Sequence, residues 1–326
     1  MPAPLRSLMA SRPLRVFSLL CLATSLLLSV GLVQNMTTQL NRDENAPSAG
    51  EKPDINHYPG YALLWHDEFD YEGRPDPDIW NYGETGFIRN REDQWYQPDN
   101  AWVADGKLVI EARRIEPVPS PHYDPDGEDW RTQRRTIRYT STLIQTRGKR
   151  EWRYGRLEVR GRIDIGEGVW PAIWTLGSAR EWPGCGEIDL MEYYDHSLLA
   201  NAAWAGPERF VPRWDSSKIP LVELGDPQAW SGEFHVWRMD WDEHYIRLYV
   251  DGRMLNEIDL SQTVNETPDG ANPFHEPHYL LLNVAVGGTN GGDPSGTEFP
   301  RRFEVDWVRV YEKTREEQAA SPEPST

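Results

Sequence analysis

The sequence predicts an all-β domain: a two-sheet sandwich of jelly-roll type made of short antiparallel strands. Three observations predict it. Apolar residues recur with a period of two along most of the region between residues 57 and 312. Glycine and proline occur 26 times each in 326 residues, which disfavours long helices and suits a fold rich in turns. No long stretch carries the 3.6-residue period of an amphipathic helix.

Residues 107–113 (KLVIEAR) form a short apolar run after the turn Asp105-Gly106. In residues 155–165 (GRLEVRGRIDI), Leu157, Val159, Gly161, Ile163 and Ile165 share one face. Residues 234–241 alternate as well. Residues 245–250, the turn Asp251-Gly252 and residues 253–260 read as a hairpin. Residues 279–286 (YLLLNVAV) and 303–311 (FEVDWVRVY) supply the last two strands. The polar, proline-rich segment 116–134 reads as a surface loop bordering a functional region.

Lys and Arg number 34 against 52 Asp and Glu, a net charge of −18. That excludes a nucleic-acid partner, which needs clustered cations, and a polybasic membrane surface. Residues 1–33 read as an address rather than as fold. Arg6, Arg12 and Arg15 precede an 18-residue apolar run, Val16 to Val33. A cleaved signal peptide is favoured over an uncleaved membrane anchor, and both place the rest of the chain outside the cytoplasm, secreted or periplasmic. Residues 34–56 read as a polar linker and 313–326 as a frayed tail. One domain, 57–312, remains, expected to be monomeric. Cys21 lies in the address, so Cys185 has no partner for an internal disulfide and reads as a small buried filler.

The most informative stretch is residues 182–194, WPGCGEIDLMEYY. In a regular strand Glu187 and Asp189 share a face and Glu192 points away. One extra residue at Leu190-Met191, a β-bulge, brings Glu192 back. Glu187 and Glu192 then have Cα atoms about 13 Å apart, and inward-leaning carboxyl groups come to about 5 Å. That is the separation of a retaining glycosidase pair, one carboxylate attacking carbon and the other shuttling the proton. Three carboxylates on one face must also raise at least one pKa. A solvent-facing acidic strand and a calcium cluster are the competing readings. Fifteen Trp, several of them flanking these acids, suit either a large core or stacking platforms for sugar rings.

With GEIDLMEY in hand, the chain resembles glycoside hydrolase family 16, the laminarinase-like β-glycanases, whose signature has the form E-x-D-x-x-E. LLWHDEFD (63–70), NREDQWYQPDNAWVADGKLVIEARR (90–114), YTSTLIQT (139–146), YGRLEVRGRIDIGEGVWPAIWTLG (154–177) and FPRRFEVDWVRVYE (299–312) resemble further family blocks in order. The resemblance implies a concanavalin A-like lectin/glucanase sandwich with a glycan cleft. It also implies a retaining endo-β-glycanase that needs no cofactor for catalysis. Glu187 resembles the nucleophile, Asp189 the assisting acid and Glu192 the general acid/base. Trp170 and Trp174 match cleft aromatics, although Trp174 can equally be core; Trp182, closer still to the acids, suits a sugar-stacking cleft by its position. Asn90, Glu92 and Gln94 match a polar cleft-lining loop. Many relatives hold a structural Ca2+ on the convex side, and the matching positions are Glu68, Gly106 and Asp306, two of them through main-chain oxygens.

The chain departs from the pattern after the acids. The family usually has a His on the next strand, whereas Asn201 and Trp204 stand in that region here. Segment 207–221 (PERFVPRWDSSKIPL) does not map onto ordinary laminarinases. The substrate expected is a polysaccharide, β-1,3- or mixed-linked glucan first. A β-galactan, agar or porphyran is the alternative, and a non-catalytic lectin-like domain is the rival of another class. Trp95 is grouped with the cleft, and Trp237, Trp241 and Trp307 with the core. His275-Glu276-Pro277-His278 lacks the spacing of a zinc helix, and Gly287 to Gly292 matches no phosphate-binding fingerprint, reading instead as a rim loop.

Overall fold

In the computed structural model, which describes residues 53–56 and 58–320, the alternating segments pair into two sheets packed face to face. The signal or anchor segment, most of the linker and the end of the tail lie outside the described residues. The first strands are β1 (Tyr61–Asp67), β2 (Asn81–Tyr82), β3 (Gln94–Tyr96), β4 (Ala101–Ala104), β5 (Lys107–Pro119) and β6 (Thr136–Ser141). Then come β7 (Leu143–Gln145), β8 (Glu151–Trp152), β9 (Gly155–Ile163), β10 (Val169–Gly177), β11 (Glu187–Tyr194) and β12 (Ser197–Ala205). The last are β13 (Pro212–Pro220), β14 (His235–Trp241), β15 (Tyr245–Val250), β16 (Arg253–Asp259), β17 (His278–Val286) and β18 (Arg301–Lys313).

One sheet runs β16-β15-β14-β9-β18-β5-β6-β3, with β1 on β18 and β4 on β5. The other runs β13-β12-β11-β10-β17-β7-β2, with β8 on β17. Pairing is antiparallel except between β3 and β6, a departure from the all-antiparallel expectation. The inner faces meet in one core: Leu157, Val159, Trp237 and Val308 from the first sheet against Ile173, Ile188, Leu190 and Leu282 from the second. Trp237 and Trp241 lie in this core, as expected, whereas Trp307 is buried outside it, with the Arg309 guanidinium 4.3 Å from its ring centroid. Replacing Trp237 by Ala removes a fully buried core indole and should cost about 3–5 kcal/mol in chemical denaturation.

Two differences from the sequence reading stand out. β13 lay in the unmapped segment because its inward residues Asp215 and Ser217 are polar; Asp215 accepts from Asn256 Nδ2 at 3.0 Å. Hydrophobic alternation therefore cannot reveal this edge strand. The frayed-tail expectation also fails at its start, where β18 runs to Lys313 and a short helix spans Arg315–Ala320. Thr314 N–H donates to the Gly60 carbonyl at 2.8 Å, tying this end to the start of β1.

Candidate active site

β11 lies near the middle of the second sheet, between β10 and β12. On its partners, Ile173 and Trp174 are adjacent, but they pair with Met191 and Asp189. Asn201 and Leu199 are two apart, but they pair with Asp189 and Glu192, which are three apart. The extra residue is the bulge at Leu190-Met191, and both of its side chains are fully buried in the core. Glu187, Asp189 and Glu192 thus face outward together, into a cleft of about 1020 Å³.

Each acid is held. Trp182 Nε1–H donates to Glu187 Oε2 at 2.5 Å, and Trp170 Nε1–H to Glu192 Oε1 at 2.8 Å. Asn201 Nδ2 donates to Asp189 Oδ2 at 3.3 Å and to Glu192 Oε2 at 3.2 Å. Asp189 and Glu187 also share a hydrogen bond, which requires a proton between two carboxyl groups. Burial, and then the charges of Glu192 and Glu187, hold Asp189 well above the usual carboxylate range, so Asp189 carries that proton. Burial pushes Glu192 up to about 7, with the Glu187 charge adding to the rise. Burial raises Glu187 as well, but the Trp182 and Asp189 hydrogen bonds and the nearby Arg89 charge pull it back. Both glutamates are thus raised, Glu187 with two hydrogen-bond donors and a cation favouring its ionised form and Glu192 with the Glu187 charge favouring its protonated form, the asymmetry that acid/base chemistry needs.

Two of the cleft aromatics come from β10, where Trp170 and Trp174 stand four residues apart on the same face. Trp174 lines the cleft within a small apolar cluster with Tyr96, Leu176 and Tyr279, outside the inter-sheet core. Its Nε1–H donates to Asn283 Oδ1 at 2.7 Å, and Asn283 Nδ2 donates to Tyr96 Oη at 3.1 Å. Asn90, in the left-handed region at φ 46°, lines the cleft together with Glu92. Arg134 from the predicted surface loop donates to the carbonyls of Glu92, Asp93 and Gln94 and so clamps their segment. The same loop places Trp130 and Arg131 on the cleft wall, and Asn290 arrives from the glycine-rich 287–292 turn.

Several expectations need correction. Gln94 is fully buried behind the cleft surface; its Nε2 donates to Glu92 at 2.6 Å and its Oε1 accepts from Val286 N–H at 2.8 Å. Trp204 has the strand parity of Ala200 and Ala202 and packs against the core, away from the cleft. Trp95 packs on His122, with ring centroids 4.6 Å apart, and does not reach the acids. Asn201 lines the cleft, but its Nδ2 is committed to the acids. The carboxylates of the calcium set are engaged by arginines. Glu68 is a bidentate acceptor for Arg309 at 2.8 and 2.9 Å, and Asp306 is paired to Arg160 at 2.6 Å. Neither carboxylate is open to a cation, so main-chain oxygens are what Glu68, Gly106 and Asp306 would offer one. Among the described residues, no group of three or more His, Cys, Asp or Glu is placed to hold a metal.

The reading passed over Tyr194, whose ring lies 5.1 Å from that of Trp170, and Asn283. Asn283 is the one strongly polar residue inside YLLLNVAV, and that exception was its available signal. Cys185 is buried as expected, its thiol pushed up to about 12 by burial and then by Glu187. It is therefore no nucleophile.

An extended aromatic cleft floored by a hydrogen-bonded carboxylate trio on a β-sandwich defines a glycoside hydrolase. The chain belongs to glycosyl hydrolases family 16, whose family model matches residues 92–309. It is 36% identical over 274 residues to a beta-glucanase of Rhodothermus marinus, covering 78% of this chain and 86% of that one. It is 33% identical to glucan endo-1,3-beta-glucosidase A1 of Niallia circulans, covering 78% of this chain but only 38% of that longer protein. In structure it resembles the catalytic domain of an endo-1,3-beta-glucanase (laminarinase) from Thermotoga petrophila, with TM-score 0.65 and 34% identity over 78% of this chain and 99% of that one.

Proposed function

We propose that this protein is a retaining endo-β-glucanase acting on β-1,3- or mixed β-1,3-1,4-linked glucan, with Glu187 as nucleophile. The observation that carries the reading is the bulge that turns Glu187, Asp189 and Glu192 into one hydrogen-bonded cluster. The β-glucanase relatives support the choice of glucan. The cleft is lined from Trp214 on β13 across to Leu143 on β7, which suits an extended chain cut internally.

In the first step Glu187 attacks the anomeric carbon while Glu192 protonates the leaving oxygen. The bond to the leaving oxygen breaks and a glycosyl ester forms on Glu187. In the second step Glu192 takes a proton from water, the water oxygen displaces the ester, and the anomeric configuration is retained. Asp189 donates to the Glu187 carboxylate and keeps it oriented. Trp170 and Asn201 fix the Glu192 carboxyl group. Residues 1–33 support export, which N-terminal sequencing of the mature protein tests.

A screen of laminarin, lichenan, agarose, porphyran and β-1,3-galactan, with product sizing and NMR of the first anomer formed, tests this reading. Rapid cleavage of laminarin or lichenan to oligosaccharides with retained configuration is the expected result. Activity on the galactans alone, or binding without release of reducing ends, overturns it.

The pH dependence follows from the site. Glu192 must be protonated for the first step, so kcat/KM should fall on the alkaline side near pH 7. Glu187 must be ionised, and its pKa is raised too, so the acid limb should lie above the usual Glu range. An acid-shifted bell is expected in initial rates on laminarin. A flat profile through neutral pH contradicts the assignment.

A further inference from the structure

Phe210, Val211 and Trp214 are 48%, 49% and 46% exposed, and they cluster within five residues of the segment that precedes and opens β13. Phe210 is held in the left-handed region at φ 62°, an uncommon backbone for a bulky side chain. The turn that holds it is closed by Gly206 N–H to the Val211 carbonyl at 3.0 Å and Val211 N–H to the Glu208 carbonyl at 3.1 Å. Strain and exposed aromatic area both cost stability, and they persist where a partner uses them.

Their place in the sheet suggests that partner. Glu187 pairs with Ala203 and Ala203 pairs with Trp214, so the three form one cross-strand row on the cleft face. Trp214 therefore stands two strand spacings, about 10 Å, from the Glu187 position. Between them lies only the methyl group of Ala203, which leaves room for a sugar ring beside the acids. Phe210 and Trp182 line both the main cleft and an adjoining hollow of about 370 Å³ beside Asn265. The groove thus continues past the catalytic row over the sheet edge.

A second polypeptide strand is a poor occupant of this edge. Pro212 and Pro220 bound β13, and Arg213 and Lys218 lie on it, devices that blunt an edge against strand addition. The exposed rings are flat and apolar, and they are continuous with a glycan cleft.

We propose that Trp214 and Phe210 form an outer glycan-binding platform that stacks sugar rings of the β-glucan chain beyond those flanking the scissile bond. The inference rests on the glucanase reading for its substrate but on the edge-strand geometry for its site. The platform sets preference for long chains and leaves the chemistry to Glu187 and Glu192.

The test compares Trp214→Ala, Phe210→Ala and Trp214→Phe with the wild-type protein on laminarin and on laminaritriose. The readout is the ratio of kcat/KM on polymer to that on trisaccharide. It should fall roughly three- to tenfold for each Ala variant, mostly through KM, and Trp214→Phe should keep most of it. Equal losses on both substrates, or no loss, overturn the platform. Should Trp214→Ala fail to fold, Phe210→Ala carries the same comparison. Binding is read separately by affinity electrophoresis of the Glu187→Gln protein in gels containing laminarin, lichenan, agarose or porphyran. Trp214-dependent retardation only in the galactan gels overturns the glucan assignment and leaves the platform standing. Retardation by any of the glycans that Trp214→Ala and Phe210→Ala leave unchanged overturns the platform and leaves the glucan assignment standing.

Discussion

Glu187→Gln should lower kcat on laminarin by about ten-thousandfold or more while the protein stays folded. The amide has the shape of the carboxylate and still presents an oxygen to Trp182 Nε1–H, so the cleft keeps its form. It cannot supply the electron pair that forms the glycosyl ester, and no other ionised oxygen stands in its place. A second readout separates this from unfolding. All three acids have pKa values raised in the folded protein, so their contribution to stability is full at low pH and is lost as pH rises through the folded values. Removing the Glu187 charge removes one of these groups and lowers the pKa of the other two. The melting temperature of the variant at neutral and alkaline pH should therefore match or exceed that of the wild type. A variant with near-wild-type turnover contradicts the nucleophile assignment.

Glu192→Gln should lower kcat on laminarin by about a hundred- to ten-thousandfold, the usual weight of a general acid/base. Its signature depends on the leaving group. A glucan leaving oxygen is strongly basic and needs the proton, whereas a nitrophenolate does not. The first step on a nitrophenyl glycoside should therefore be nearly spared, and the glycosyl ester should accumulate because no base activates water. Added azide, which needs no deprotonation, should restore turnover and yield a glycosyl azide of retained configuration. The alkaline limb of the pH profile near 7 should vanish with the group that causes it. Equal losses on both substrates, with no response to azide, would mean that Glu192 only supports the site.

Much of the site was legible because strand periodicity is a hard constraint. Glu187, Asp189 and Glu192 can share a face only if one residue between them goes unpaired, and the bulge lies at Leu190-Met191, where that requirement puts it. Trp170 and Trp182 were recognisable as neighbours of the acids. Their indole N–H groups proved to be the hydrogen-bond donors that hold Glu192 and Glu187.

The errors have a common cause. Trp204 is near the acids in sequence, but its parity on β12 sends it inward, opposite to Asn201. Gln94 opens β3 just after the cleft-lining loop, one layer behind the cleft surface. Glu68 and Asp306 occupy plausible positions, but arginines from strands distant in sequence claim their carboxylates. In each case the sheets decide the outcome: β12 parity for Trp204, and Val286, Arg309 and Arg160 on other strands for Gln94, Glu68 and Asp306.

The sequence by itself determined the all-β class, the net acidic charge, the trio with its bulge, and the core placement of Trp237 and Trp241. These follow from periodicity, spacing and charge, which are local along the chain. Only the tertiary structure decided which indole holds which carboxylate, that Asn201 bridges Asp189 and Glu192, and that β13 adds an aromatic edge to the cleft. Those facts depend on register between strands far apart in sequence, where a shift of one residue reverses the face that every side chain presents.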